Sequence, residues 1–164
     1  MGIKVVALDI DGVLNCEQGM PYTTAAGEEI DWPFNMIEQD KVDRLNRLTD
    51  ETGAVIVLSS TWRIGRVGRE FREKMKSRWG LKAEVIDFTD NLWHPPGSVE
   101  RRVLEIQKWL ADNSHLGVEA FVSIDDMNLG LSVRNVHCSW RYGFSEDLYP
   151  EALLWLNTPY VQAT

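Results

Sequence analysis

The chain opens on a short apolar run, Ile3-Lys4-Val5-Val6-Ala7-Leu8, that stops on Asp9-Ile10-Asp11-Gly12. An apolar stretch of this kind at the start of a domain reads as a buried strand. Glycine directly after the carboxylates lets the backbone turn where other residues would be strained. Two aspartates at the carboxyl end of a buried strand stand where open α/β sheets place their ligands. The pattern Asp-x-Asp-Gly also occurs in calcium loops and in turns, so the rest of the chain has to decide its meaning.

That rest is a succession of strand and helix signals. A polar stretch with Gly and Pro, from about Asn15 to Phe34, reads as an ordered loop or small flap over the end of the first strand. A helix follows, capped at Asn35 or Asp40, with Val42, Leu45 and Leu48 at helical spacing and Gly53 as its stop. Ala54 to Leu58 is a second buried strand, ending in Ser59-Ser60-Thr61-Trp62-Arg63. Val67, Phe71, Met75 and Trp79 mark the next helix, and Ala83 to Phe88 a third strand. After a loop with Pro95 and Pro96, Ser98 caps a helix whose inward stripe is Val99, Val103, Ile106 and Leu110. Ala120 to Ile124 is the fourth strand, closing on Asp125-Asp126; Val136 to Trp140 is the fifth, and a final helix carries Ala152, Leu153 and Leu156. Strands alternating with helices predict an α/β fold with a doubly wound parallel sheet, and 164 residues suit one domain.

Composition narrows the partners. Seventeen basic against 25 acidic side chains leave a net charge of −8, which argues against general attraction to a nucleic-acid backbone but not against gripping a single end. Cys16 and Cys138 lack metal-ligand spacing and are expected to be free thiols. With no secretory signal and no apolar run near the roughly 20 residues of a membrane span, a cytoplasmic protein is expected.

Parallel strands point their carboxyl ends to one edge, so Asp9, Asp11, Asp125 and Asp126 converge. At about 4 Å and an effective dielectric of ~20, each like-charge pair costs roughly 4 kcal/mol, and such a set needs a cation. Oxygen ligands without His or Cys favour a hard ion, Mg²⁺ before Ca²⁺ or Mn²⁺.

Asp9-Ile10-Asp11-Gly12-Val13 resembles motif I of the haloacid dehalogenase (HAD) superfamily. Ser59 after its strand resembles motif II, and Asp125-Asp126 the acidic motif IV, in matching order over nearly the whole chain. Leu58 to Arg63, Glu105-Ile106 with Trp109-Leu110, and Gly143-Phe144 are similar to the HAD domains of Swiss-army-knife RNA-repair proteins. The Asp-Asp pair is also similar to the polynucleotide 3′-phosphatase type. The resemblance implies a Rossmann-like HAD fold with five strands in the order 5-4-1-2-3. It further implies a phosphatase in which Asp9 attacks phosphorus and Asp11 acts as acid and base. Mg²⁺ would be held by Asp9, the Asp11 backbone carbonyl and Asp126, with Asp125 behind them or acting through a water. Ser59, with Ser60 as the alternative, would donate to a phosphate oxygen. Motif III normally supplies a lysine, which is missing here. Of Arg101 and Arg102, the second shares a helix face with Val99 and Ile106, and is the choice.

Other residues carry two readings. Arg63 binds substrate phosphate or pairs on the surface; Trp62 stacks on a ring or packs. Trp93 and His94 contact substrate or only line a loop. Gly65-Arg66-Val67-Gly68 hints weakly at a phosphate loop, and Arg66, Arg69, Arg72, Lys74, Lys76 and Arg78 form a basic patch on one helix. Glu100 and Glu105 are expected to be solvated.

Neither gap between motifs has room for a cap domain, and an open site suits a bulky phosphorylated substrate such as a nucleic-acid end. Small sugar or nucleotide phosphates are the alternative. A receiver-like module fits less well, because Asp11 has no adjacent acid and Asp125-Asp126 comes late. A non-catalytic metal-binding module would have little need of Asp9, Asp11 and Ser59 together.

Overall fold

β1 (Ile3–Leu8) is the central strand of a parallel sheet that also contains β2 (Val55–Leu58), β3 (Val85–Phe88), β4 (Val118–Asp125) and β5 (Asn135–His137). The strand order is β3-β2-β1-β4-β5, the expected doubly wound arrangement. The computed structural model describes residues 2–17, 31–92 and 98–162. Most of the flap expected over Asn15 to Phe34 therefore lies outside the described residues, as do Trp93, His94, Pro95 and Pro96.

The helices follow from the handedness of the crossovers. Stepping from β1 to β2 to β3, the chain passes through α1 (Gln39–Thr52) and α2 (Gly65–Trp79), which share one face of the sheet. It then reverses direction to reach β4 on the other side of β1. A right-handed crossover in the reverse direction must use the opposite face, and α3 (Val99–Asp112) lies there. α4 (Tyr149–Leu156) returns to the first face, packing beside α1.

Alternate strand residues feed the two cores. Val6, Leu8, Ile56 and Leu58 meet Leu45 and Phe71 on the α1–α2 face. Val5, Ala7, Val57 and Phe121 meet Ile106 and Leu110 of α3. This alternation is the period-two geometry of a strand buried on both sides.

Several local expectations need correction. α1 is entered from Glu38, which makes no side-chain cap; Asn35 lies in a 3₁₀ turn, and Asp40 sits within the first helical turn. The helix entrance is instead tied by the Glu38 N–H donating to the Leu14 carbonyl at 2.9 Å. Val99 does not face the core but is 40% exposed, because it begins α3 beyond the edge of the sheet's apolar surface. Ser98 does cap α3, accepting from Arg101 N. Gly65–Gly68 is no phosphate loop: it is the first turn of α2. A Cβ on Gly68 would fall 2.0 Å from the Arg63 carbonyl oxygen, so the glycine permits close packing of the turn on the preceding loop. No helix among the described residues is long and apolar enough to cross a membrane.

Candidate active site

Strand register brings the site together. Leu8 is aligned with Leu58 of β2 and with Ile124 of β4. The next residues, Asp9, Ser59 and Asp125, therefore stand at one level on three adjacent strand ends. The ladder continues into them: Asp9 N donates to the Ile124 carbonyl at 3.0 Å, and Ser59 N to the Leu8 carbonyl at 2.8 Å. β1 and β4 are also where the strand order reverses, the crevice in which open α/β sheets hold ligands.

One oxygen each of Asp9, Asp125 and Asp126 lies within 4.8 Å of the others, with Asp9 and Asp125 buried. Gly12 makes this possible. Its φ of +75° turns the chain, and a Cβ there would meet Asp126 Oδ2 at 2.6 Å. Burial, above all, pushes Asp9 well above the ordinary carboxylate pKa, and Asp125 and Asp126 push it further. Asp125 is raised to about 6, again mainly by burial, with Arg102 opposing. Three carboxylates brought this close, two of them buried and held above their ordinary range, form a set of hard oxygen donors that fits a divalent cation.

Arg102 supplies part of that charge. Its Nη1 donates to Asp125 Oδ2 at 2.7 Å, stands 3.4 Å from Asp9 Oδ1, and also donates to the Ser59 carbonyl. Burial works against its cation, but Asp9, Asp125 and Glu105 together hold its pKa above the usual value. Arg101 lies one position round the helix and reaches only toward Glu105, at 3.7 Å. The helical spacing thus selects Arg102 for the carboxylates.

Asp11 stands apart from the three-carboxylate cluster. Asn15 Nδ2 donates to its Oδ1 at 3.0 Å, and Trp62 Nε1 donates to its Oδ2 at 3.1 Å. Ser59 Oγ is buried and has no hydrogen-bond partner among the described residues. A buried hydroxyl without a partner is an unfavourable arrangement that a ligand oxygen would relieve. Ser60 Oγ, by contrast, accepts from Trp62 N at 3.2 Å, capping the Thr61–Arg63 turn.

Two expected substrate contacts are committed elsewhere. Trp62 is buried, packs edge-on against Phe34 at 5.5 Å, and donates to Asp11, so its place is set by packing and by that hydrogen bond. Arg63 is neither free nor on the surface: its Nη2 pairs with Glu105 Oε1 at 3.1 Å, and its Nη1 donates to the Ser60 carbonyl at 2.6 Å.

Glu105, expected in solvent, is 1% exposed. It accepts from Leu92 N at 3.2 Å and faces both Arg63 and Arg102. A glutamate amid a polar helix face gives no hint of this, because its partners come from the β2 and β3 loops. Asn15 was missed too, although an Asn three residues after a turn glycine is a common side-chain brace for that turn. It accepts from Gly12 N at 2.9 Å as well as holding Asp11. Cys16 and Cys138 are free, as expected, and both are buried.

The basic patch on α2 is largely spoken for. Lys74 and Arg78 meet Asp31, Arg66 meets Glu70, and Arg72 donates to the Val85 carbonyl.

The family model described as the HAD domain in Swiss Army Knife RNA repair proteins matches residues 5–148. That span runs from β1 to the turn before α4, and so includes every residue of the site described above. No curated protein matches the chain.

Proposed function

The chain belongs to the family of HAD domains found in Swiss Army Knife RNA repair proteins, and on that premise we propose that it is a Mg²⁺-dependent phosphomonoester hydrolase. Family membership supports phosphatase-type hydrolase chemistry in general. The observation that carries the finer reading is the row of Asp9, Ser59 and Asp125 on adjacent strand ends, with Arg102 against it.

In this reading an Asp9 carboxylate oxygen attacks phosphorus, forming an aspartyl-phosphate as the ester P–O bond breaks. Asp11 gives its proton to the leaving oxygen. Each Asp11 oxygen already accepts one hydrogen bond, and a second lone pair remains to carry that proton. Asp11 then takes a proton from water, the water oxygen bonds to phosphorus, and the bond to Asp9 breaks to release inorganic phosphate. Ser59 Oγ and Arg102 donate to non-bridging oxygens, where negative charge accumulates. Asp9, Asp126 and the Asp11 carbonyl would hold Mg²⁺, with Asp125 behind them. When bound, the ion supplies positive charge against the carboxylates and the phosphoryl group.

The proposed substrates are phosphorylated nucleic-acid ends or nucleotides. The net charge of −8 favours short ends over long tracts and keeps small sugar or nucleotide phosphates as a second reading. The test is phosphate release with Mg²⁺ from 3′- and 5′-phosphorylated oligonucleotides, mononucleotides, sugar phosphates and an aryl phosphate. Release abolished by Asp9→Asn and by EDTA is expected. Release that survives Asp9→Asn would overturn the nucleophile assignment, and none from any substrate would overturn the phosphatase.

A further inference from the structure

Against Asp11 lies a cavity of about 400 Å³ that is lined by neither Asp9, Ser59 nor Arg102. Its walls include Trp32, Met36, Ile64 and Trp140. Trp32, Ile64 and Trp140 are 62%, 50% and 43% exposed, so three of the chain's large exposed apolar side chains border one groove. Clustered exposure of this kind marks a ligand surface, whereas scattered single residues do not.

The two indoles are also held in place through their backbones. Arg66 Nη2 donates to the Trp32 carbonyl and Glu17 N to the Trp140 carbonyl, each at 3.0 Å. Trp62, which also lines the groove, donates to Asp11.

We propose that this groove is the leaving-group subsite and that it takes the nucleobase of the terminal, phosphate-bearing nucleotide. The assignment rests on the phosphatase reading, in which the leaving oxygen is at Asp11. Whatever is attached to that oxygen must run on from Asp11, and the groove begins there. Among the described residues lining it, Asp11 is the one that is charged, and none of them is a cation that would bind a second phosphate. Indole and aliphatic walls suit a flat aromatic ring, and stacking on them is indifferent to base identity. A nucleobase is separated from its phosphate ester by a sugar, and a cavity of about 400 Å³ beside Asp11 has room for both. A phosphotyrosine ring is joined directly to the ester oxygen, with no sugar between them. Base stacking would also give a protein of net charge −8 a grip on a nucleic-acid end without backbone phosphate contacts.

The test compares kcat/KM for a nucleoside monophosphate with that for the corresponding ribose phosphate. The native chain should prefer the substrate carrying a base. Trp32→Ala and Trp140→Ala should each lower that preference by about tenfold, through KM more than kcat, while the Phe replacements retain most of it. A second arm measures Kd on the Asp9→Asn chain for a 3′-phosphorylated oligonucleotide and its counterpart with an abasic 3′ end. This arm reads the groove even if the chain hydrolyses nothing, so failure of the phosphatase reading stays distinguishable. A preference and a Kd ratio unchanged in both Ala variants would overturn the proposal. Loss confined to a phosphotyrosine peptide would also overturn it, assigning the groove to a phosphoprotein instead.

Discussion

Two buried arginines flank Glu105, and they have opposite fates. Arg102 faces Glu105 Oε2 at 3.7 Å but directs Nη1 to Asp125 and Asp9. Arg63 pairs with Glu105 Oε1 at 3.1 Å, and its two Nη groups donate to the Ser60 and Asp90 carbonyls. Both are desolvated, yet their pKa values move apart. Three carboxylates hold Arg102 above the ordinary value despite its burial, whereas burial, with Arg102 and Arg101 adding repulsion, draws Arg63 below it. Burial alone therefore does not decide which way an arginine's pKa moves. What distinguishes Arg102 is an excess of negative charge beside it; Arg63 is matched by one carboxylate and bound to its own loop.

The sharpest way to break this contrast is to remove Arg63. Arg63→Ala leaves Glu105 buried without its closest cation and should destabilise the chain by about 3–5 kcal/mol in chemical denaturation. The double variant Arg63→Met/Glu105→Leu should recover much of that loss. An unchanged unfolding midpoint, together with a raised KM, would return Arg63 to the substrate site.

Arg102→Ala should act on the reaction, lowering kcat by roughly 10²- to 10³-fold, with Arg102→Lys recovering part of it. A chain that turned over normally without Arg102 would end the comparison.

The pH dependence follows from the raised acids. A carboxyl whose folded pKa exceeds its unfolded value contributes its stability below about pH 4 and loses it as pH rises through the folded value. For Asp125, at about 6, the loss between pH 4 and 7 is on the order of 3 kcal/mol in the metal-free chain. Mg²⁺ should therefore raise Tm more at pH 7 than at pH 5. A Tm increment equal at both pH values would count against these carboxylates as its ligands.

The smallest expected effect is at Trp62. Trp62→Phe keeps the ring packing but removes the donor to Asp11, and should lower kcat about 3- to 10-fold, a single hydrogen bond's worth.

The aspartates at the strand ends were legible because they follow apolar runs. The run before each names a buried strand, parallel strands share a carboxyl edge, and register then aligns Asp9 with Ser59 and Asp125. Arg102 over Arg101 was legible by the same logic, since helical spacing reports which face turns inward. Glu105 defeated that logic. It lies four residues from Arg101 on a polar stripe, and its burial comes from Arg63 and Leu92, which no period along α3 encodes. Trp62 and Ser60 were ambiguous because each can face a ligand or a neighbour, and the neighbours that claim them lie on other loops or in the next turn. The exposed indoles of Trp32 and Trp140 are more than 100 residues apart in sequence, so only the fold brings them to one groove.

The sequence by itself determined the strand and helix order, the carboxylate edge and the family, all of which depend on local patterns and short motifs. Only the tertiary structure decided which buried charges are matched and which are left in excess. That balance depends on distances between side chains from separate loops, across which electrostatic energy in a poorly solvated interior changes steeply.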